Sequence, residues 1–78
     1  MTLHEEARIR RIAGRILASS GHWSAARHQM LIAAGRLALD GAEAEYDPRS
    51  PQSYRAYLKQ RIHWAMFDAL RSQNKRAA

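Results

Sequence analysis

The chain has 78 residues, no cysteine and a net charge of +6, which limits it to one domain with a small core, since a chain this short buries only about 60% of the surface its unfolded form exposes. The missing cysteines exclude a disulfide framework and a thiolate metal site, and they fit a reducing cytoplasmic compartment. Arg8, Arg10, Arg11 and Arg15 interrupt the N-terminal stretch, so no signal peptide is expected, and no apolar run approaches the roughly 20 residues of a membrane span.

The first helix is predicted around Ile9, Ile12, Ala13, Ile16 and Leu17, which follow the i, i+3, i+4, i+7, i+8 spacing of one buried face. Arg8, Arg11 and Arg15 lie on another face. The helix should stop near Ser19-Ser20-Gly21, where glycine can take the left-handed cap. A short helical turn is allowed for at His22 to Ser24, giving three to four helices in all. The second helix should start at Ser24 as N-cap and carry Leu31, Ala34, Ala38 and Ala42 on one side, with Leu37 and Leu39 widening the stripe. Gly35 and Gly41 weaken it by up to about 1 kcal/mol each relative to alanine, so each is expected to allow close packing or to mark a bend. Asp47-Pro48 ends it, because the residue before proline avoids the helical region.

The third helix is expected to open at Ser50-Pro51, serine as N-cap and proline at the first helical position. Leu58, Ile62, Ala65, Met66, Ala69 and Leu70 form its core stripe. The opposite side carries Tyr57, Gln60, Trp64, Phe67 and Arg71, with His63 at the border. Residues 1–6 and 73–78 read as frayed tails. The fold class is therefore all-α, a small three-helix domain.

Charge is unevenly placed along this scaffold. Residues 1–39 hold six Arg against Glu5 and Glu6, and residues 53–78 hold six Lys or Arg against Asp68, with Asp40, Glu43, Glu45 and Asp47 between them. Basic ends of this kind favour polyanions through counterion release, although basicity also serves solubility. No enzyme is expected: the histidines His4, His22, His28 and His63 lack the spacing of a helical zinc site, and no nucleophile elbow, phosphate-binding glycine loop or paired buried carboxylates are visible. No cofactor and no metal is called for. Two surfaces remain. The Arg8, Arg11, Arg15 stripe could contact phosphates or could be a solvated face. The Tyr57, Trp64, Phe67 stripe could stack bases, dock a protein, or be covered by another helix of the same chain.

These residues together resemble a known family, region 2 of the bacterial RNA polymerase sigma factors of the sigma-seventy type, nearest the flagellar-type branch. The resemblance runs through Leu31, Ile32, Gly35 and Leu39, then the Tyr46-Asp47-Pro48 turn, then Tyr54, Tyr57, Arg61, Ile62, His63, Ala65, Met66, Asp68, Leu70 and Arg71, in order and without a gap. The basic first helix, "RIRRIAGRILASSG", is similar to the start of that region, so roughly residues 7–73 are covered.

The resemblance implies a helical domain that docks on the polymerase clamp around the second helix and captures opened minus-ten promoter DNA with the third. Carried over by position, Tyr54 and Tyr57 would be melting aromatics, followed by Gln60 and Arg61. Clamp-contacting positions fall on Met30, Ala33 and Ala34, with Arg36 and Asp40 nearby, and have become largely apolar. DNA-approaching positions fall on His63, Trp64, Phe67 and Asp68, where rings replace side chains that hydrogen-bond to base edges. The chain ends before the regions that recognise the rest of a promoter, so a complete sigma factor is not expected.

The expected function is a cytoplasmic transcription regulator resembling a partial sigma factor. It would contact promoter-like DNA, single-stranded DNA included, through Arg8, Arg11, Arg15, Tyr54, Tyr57, Lys59, Gln60, Arg61, His63, Trp64, Phe67 and Arg71. RNA polymerase or a sigma-like protein would be its partner. The alternative is a protein-interaction module on the same fold, homodimer included, that uses Met30, Ala33, Ala34, Arg36, Asp40, Trp64 and Phe67. A generic basic helical DNA-binding protein comes third.

Overall fold

The computed structural model describes residues 3–21 and 23–77, with side chains as far as Lys75. Its elements are three helices, α1 (Leu3–Ser20), α2 (Ala25–Glu45) and α3 (Tyr54–Ala77). The all-α, three-helix expectation holds. A radius of gyration of 13.0 Å exceeds the about 11.5 Å of an evenly compact chain of this length. The excess comes from α3, whose 24 residues make a rod of about 36 Å.

Local chemistry explains most boundaries. Glu5 and Glu6 in the first turn of α1 complement the positive end of its dipole. Gly21, at φ 72°, closes α1 as its N–H donates to the Leu17 carbonyl at 3.2 Å. Ser24 caps α2, its Oγ accepting from the Arg27 N–H at 3.1 Å. At the far end the Tyr46 N–H donates to the Ala42 carbonyl as the chain turns extended before Asp47-Pro48.

Other boundaries differ from expectation. The third helix begins at Tyr54, not at Ser50-Pro51: Ser50 accepts from the Gln52 N–H at 3.2 Å and so caps only a tight turn. Ser53 is the serine at the helix start, its Oγ accepting from the Ala56 N–H at 3.2 Å. Trp23 and Ser24 are not helical, and His22, included in the expected short turn, lies outside the described residues. Of the expected tails, Leu3–Glu6 lie within α1 and Gln73–Ala77 within α3, while Met1, Thr2 and Ala78 lie outside the described residues.

The core is built from Ile9, Ile12, Ala13 and Leu17 of α1, Leu31, Ile32, Leu39 and Ala42 of α2, and Leu58, Ile62 and Met66 of α3. Leu37, expected to widen the α2 stripe, is instead 74% exposed, because the stripe faces both neighbours through Leu31, Ile32, Gly35 and Leu39 on the other side of the helix. The three helices meet at Gly35. A Cβ there would lie 2.9 Å from Ile9 Cγ2, 2.9 Å from Met66 Cε and 3.6 Å from Ile62 Cγ2. A methyl group cannot enter without moving α1 or α3. Gly41 has a lesser role: only the Arg61 guanidinium crosses it, at 3.3 Å from a built Cβ.

Two glycines inside helices should therefore respond oppositely to the same change. Gly35→Ala gains up to about 1 kcal/mol of helix propensity but loses about 1–3 kcal/mol to overpacking, so its melting temperature should fall. Gly14→Ala meets only His28 Nε2, at 4.0 Å, and should raise the melting temperature by a few degrees. Thermal unfolding followed by circular dichroism checks both, and a rise in both would contradict the packing described at Gly35.

Candidate nucleic-acid interface

The helix α1 leans on α2 and only lightly touches α3, which leaves a cleft between α1 and the start of α3. Arg8, Arg11, Ile12 and Arg15 line one wall, with Ser53, Arg55, Ala56 and Lys59 on the other, around about 380 Å³. No carboxylate lines this space. Its five cations, Arg8, Arg11, Arg15, Arg55 and Lys59, form no ion pair with any described residue. Helical spacing explains the convergence: Arg8, Arg11 and Arg15 stand at i, i+3, i+7 along α1, and Arg55 and Lys59 at i, i+4 along α3. The first turn of α3, with the positive end of its dipole, opens at the same place.

Of the residues expected to meet DNA, the structure brings Arg8, Arg11, Arg15 and Lys59 into this cleft and places Tyr54 at its neighbour. It adds Arg55, which the sequence reading did not single out. The available signal was the Arg55, Lys59 spacing on the helix whose other positions were already under suspicion.

Tyr57, Gln60 and Arg61 do something else. Tyr57, expected on the outer face, is half-buried and packs its ring against Tyr46 at a centroid distance of 5.3 Å. Tyr54 meets the same Tyr46 ring edge-on at 5.0 Å, and the Tyr46 hydroxyl donates to the Gln52 carbonyl at 2.9 Å. The Arg61 Nη1 donates to Glu45 Oε2 at 2.5 Å and to the Tyr57 hydroxyl at 3.1 Å. Arg61 is thus a tie between α2 and α3, its guanidinium held above the ordinary pKa by the Glu45 hydrogen bond. The Gln60 side chain accepts from Gln52 Nε2 at 2.9 Å. Tyr54 remains 38% exposed, and partial desolvation, with Glu43 and Glu5 adding to it, pushes its phenol above the usual range.

The outer face of α3 is a separate surface. Trp64 is 57% and Phe67 49% exposed, so no helix of this chain covers them. His63 accompanies Phe67 at a ring distance of 6.3 Å and bonds through Nδ1 to the Lys59 carbonyl at 2.8 Å. Arg71 is paired with Asp68. On α2 the expected interface is divided: Met30 and Ala34 are half-buried, whereas Ala33, Arg36 and Asp40 are exposed. Arg36 is bonded to Glu6 across to α1, its Nε donating to Oε2 at 3.1 Å, and Arg10 pairs with the same carboxylate at 3.3 Å.

Among the described residues, no group of three His, Asp or Glu could hold a metal ion, and no helix is long and apolar enough to cross a membrane. Compared with protein-family models, with curated proteins and with solved structures, the chain matches none.

The Glu6 bridge has a pH signature. Hydrogen bonding to Arg36, reinforced by the charges of Arg36 and Arg10, holds the Glu6 carboxyl below the ordinary value of 4.5 despite its partial desolvation. A depressed carboxyl contributes stability above its unfolded pKa and loses it as pH falls through the folded one. Melting temperature should therefore drop as the pH is lowered through 4.5 and below, and Glu6→Gln should flatten that drop. An identical acid limb in wild type and variant would show that the bridge does not form.

Proposed function

We propose that the chain is a small cytoplasmic transcription regulator, resembling a partial sigma factor, that binds nucleic acid through the cleft between α1 and α3. The observation that carries this reading is the set of five cations on facing walls of one cleft, with no carboxylate in its lining and no ion-pair partner among the described residues. Phosphodiester oxygens are the groups such a surface suits, and release of condensed counterions drives the association. The reading is one of binding: the cleft's lining offers concentrated positive charge, which suits holding an anion.

The sigma-type resemblance supplies the transcriptional part of the proposal. The positions that carry it divide by role: Leu31, Ile32, Gly35, Leu39, Ile62 and Met66 are buried in the three-helix core, whereas Tyr57 and Arg61 serve the α2–α3 tie. The pattern thus supports a shared way of packing, with nucleic acid met on the α1 side of α3. Partner docking in the manner of the family would have to proceed without Arg36, which is engaged by Glu6. A second protein would then provide the remaining promoter contacts.

The second reading, a protein-interaction module, rests on Trp64 and Phe67, two large rings left open to solvent on one helix face. If they anchor a partner, Trp64→Ala should weaken that complex by about 2 kcal/mol or more. Sedimentation of the pure chain, with and without the substitution, detects the homodimer form of this reading.

The nucleic-acid reading is tested by fluorescence anisotropy with labelled single-stranded, bubble and duplex oligonucleotides across a salt series. Single-strand affinity should fall with salt at a log–log slope of about −2, from the about three phosphates that the cleft can span at about 0.7 each. Arg11→Ala or Arg55→Ala should each reduce that slope by about 0.7. Arg61→Ala should lower the melting temperature and leave the slope unchanged. Absence of binding at low salt, or a slope indifferent to Arg11 and Arg55, would sink the proposal.

A further inference from the structure

A second cleft of about 490 Å³ adjoins the first and is lined by His4, Glu5, Arg8, Tyr54, Arg55 and Leu58. The two share Arg8 and Arg55, so they meet at these side chains, with different chemistry on either side. One side is cationic. The other presents the exposed part of the Tyr54 ring, fixed from behind by Tyr46 at 5.0 Å, beside the side chain of Leu58. Each cleft lies within the about 300–1,000 Å³ of small-ligand sites.

Charge density separates a small ligand from a strand. Arg8 to Arg15 covers about 10 Å of helix axis at about 1.5 Å per residue. A nucleic-acid strand places about three phosphates in that length, at about 3.4 Å per charge. Five cations face that length of cleft. A nucleoside triphosphate concentrates about four negative charges there, counting its terminal phosphate at nearly two. Glu5 keeps phosphate away from the Tyr54 end and can accept hydrogen bonds from ribose hydroxyls or a base amino group.

We propose that the joined clefts form a binding site for a free nucleoside polyphosphate, its phosphates between Arg8, Arg11, Arg15, Arg55 and Lys59 and its base against Tyr54 and Leu58. This goes beyond the nucleic-acid reading and can fail without it. Where both hold, nucleotide and nucleic acid compete for the same arginines, and nucleotide concentration sets how much of the protein is free to bind a strand.

Isothermal titration of the full chain tests the proposal with four probes: ATP, inorganic triphosphate, adenosine, and a single-stranded decanucleotide. The expected result is saturable binding of one ATP per chain, with Arg11→Ala and Arg55→Ala each weakening ATP and triphosphate about tenfold, as loss of a charge-assisted contact does. ATP should bind several-fold more tightly than inorganic triphosphate, and Tyr54→Ala should erase that difference alone. Tyr54→Leu, which keeps an apolar contact with Tyr46, is the second variant should Tyr54→Ala not fold. Three outcomes overturn the proposal: no saturable binding of ATP, equal affinity for ATP and triphosphate in the wild-type chain, or binding of the decanucleotide alone. The last would leave the nucleic-acid reading standing.

Discussion

Gly35 is the point at which the fold either closes or does not. Side chains from both other helices, Ile9 on one side and Ile62 and Met66 on the other, press into the space where its Cβ would be. A domain this small has few other places to bury large apolar groups together, so the close approach of α1 and α3 to one position of α2 organises most of the core. It also has a geometric consequence. With α1 seated on α2, its basic stripe stands opposite the start of α3 across open space, and that space is the candidate site.

The distribution of ion pairs sharpens what the site is for. Four carboxylates elsewhere meet arginines: Glu6 holds Arg10 and Arg36, Glu45 holds Arg61, Asp47 holds Arg49, and Asp68 holds Arg71. The five cations of the α1–α3 cleft stand together with no such partner among the described residues. Like charges in a concave surface repel and raise the local potential, a cost to folding that an anionic ligand offsets. The aromatic residues divide in the same way. Tyr46, Tyr54 and Tyr57 are drawn into the α2–α3 turn, whereas Trp64 and Phe67 stay exposed on the outer face of α3.

Where a feature depends on neighbours in sequence, it was readable. The α1 stop at Gly21, the Ser24 cap and the core stripes of α1 and α3 follow from glycine geometry, side-chain capping and helical period. Two serines, Ser50 and Ser53, compete to start α3, and local pattern favoured the one followed by proline. The structure uses Ser53 because the chain first has to complete the turn that returns it along α2. Features that depend on helix placement were not readable. Leu37 looks like core by composition, yet faces out because two neighbours on the other side of α2 decide its burial. Arg61 was expected to face DNA, yet Glu45, sixteen residues earlier across the turn, captures it. Arg8, Arg11, Arg15 and Lys59 were visible as charges, but their convergence with Arg55 needs the α1–α3 arrangement.

The central claim is that the α1–α3 cleft, and not the outer face of α3, receives the phosphates. Backbone amide chemical shifts of the labelled chain, titrated with a short single-stranded oligonucleotide, test it most directly. The account predicts that the shifts which move cluster at Arg8 to Arg15 and at Ser53 to Lys59. Movement confined to the surroundings of Trp64 and Phe67, with the cleft silent, would contradict it.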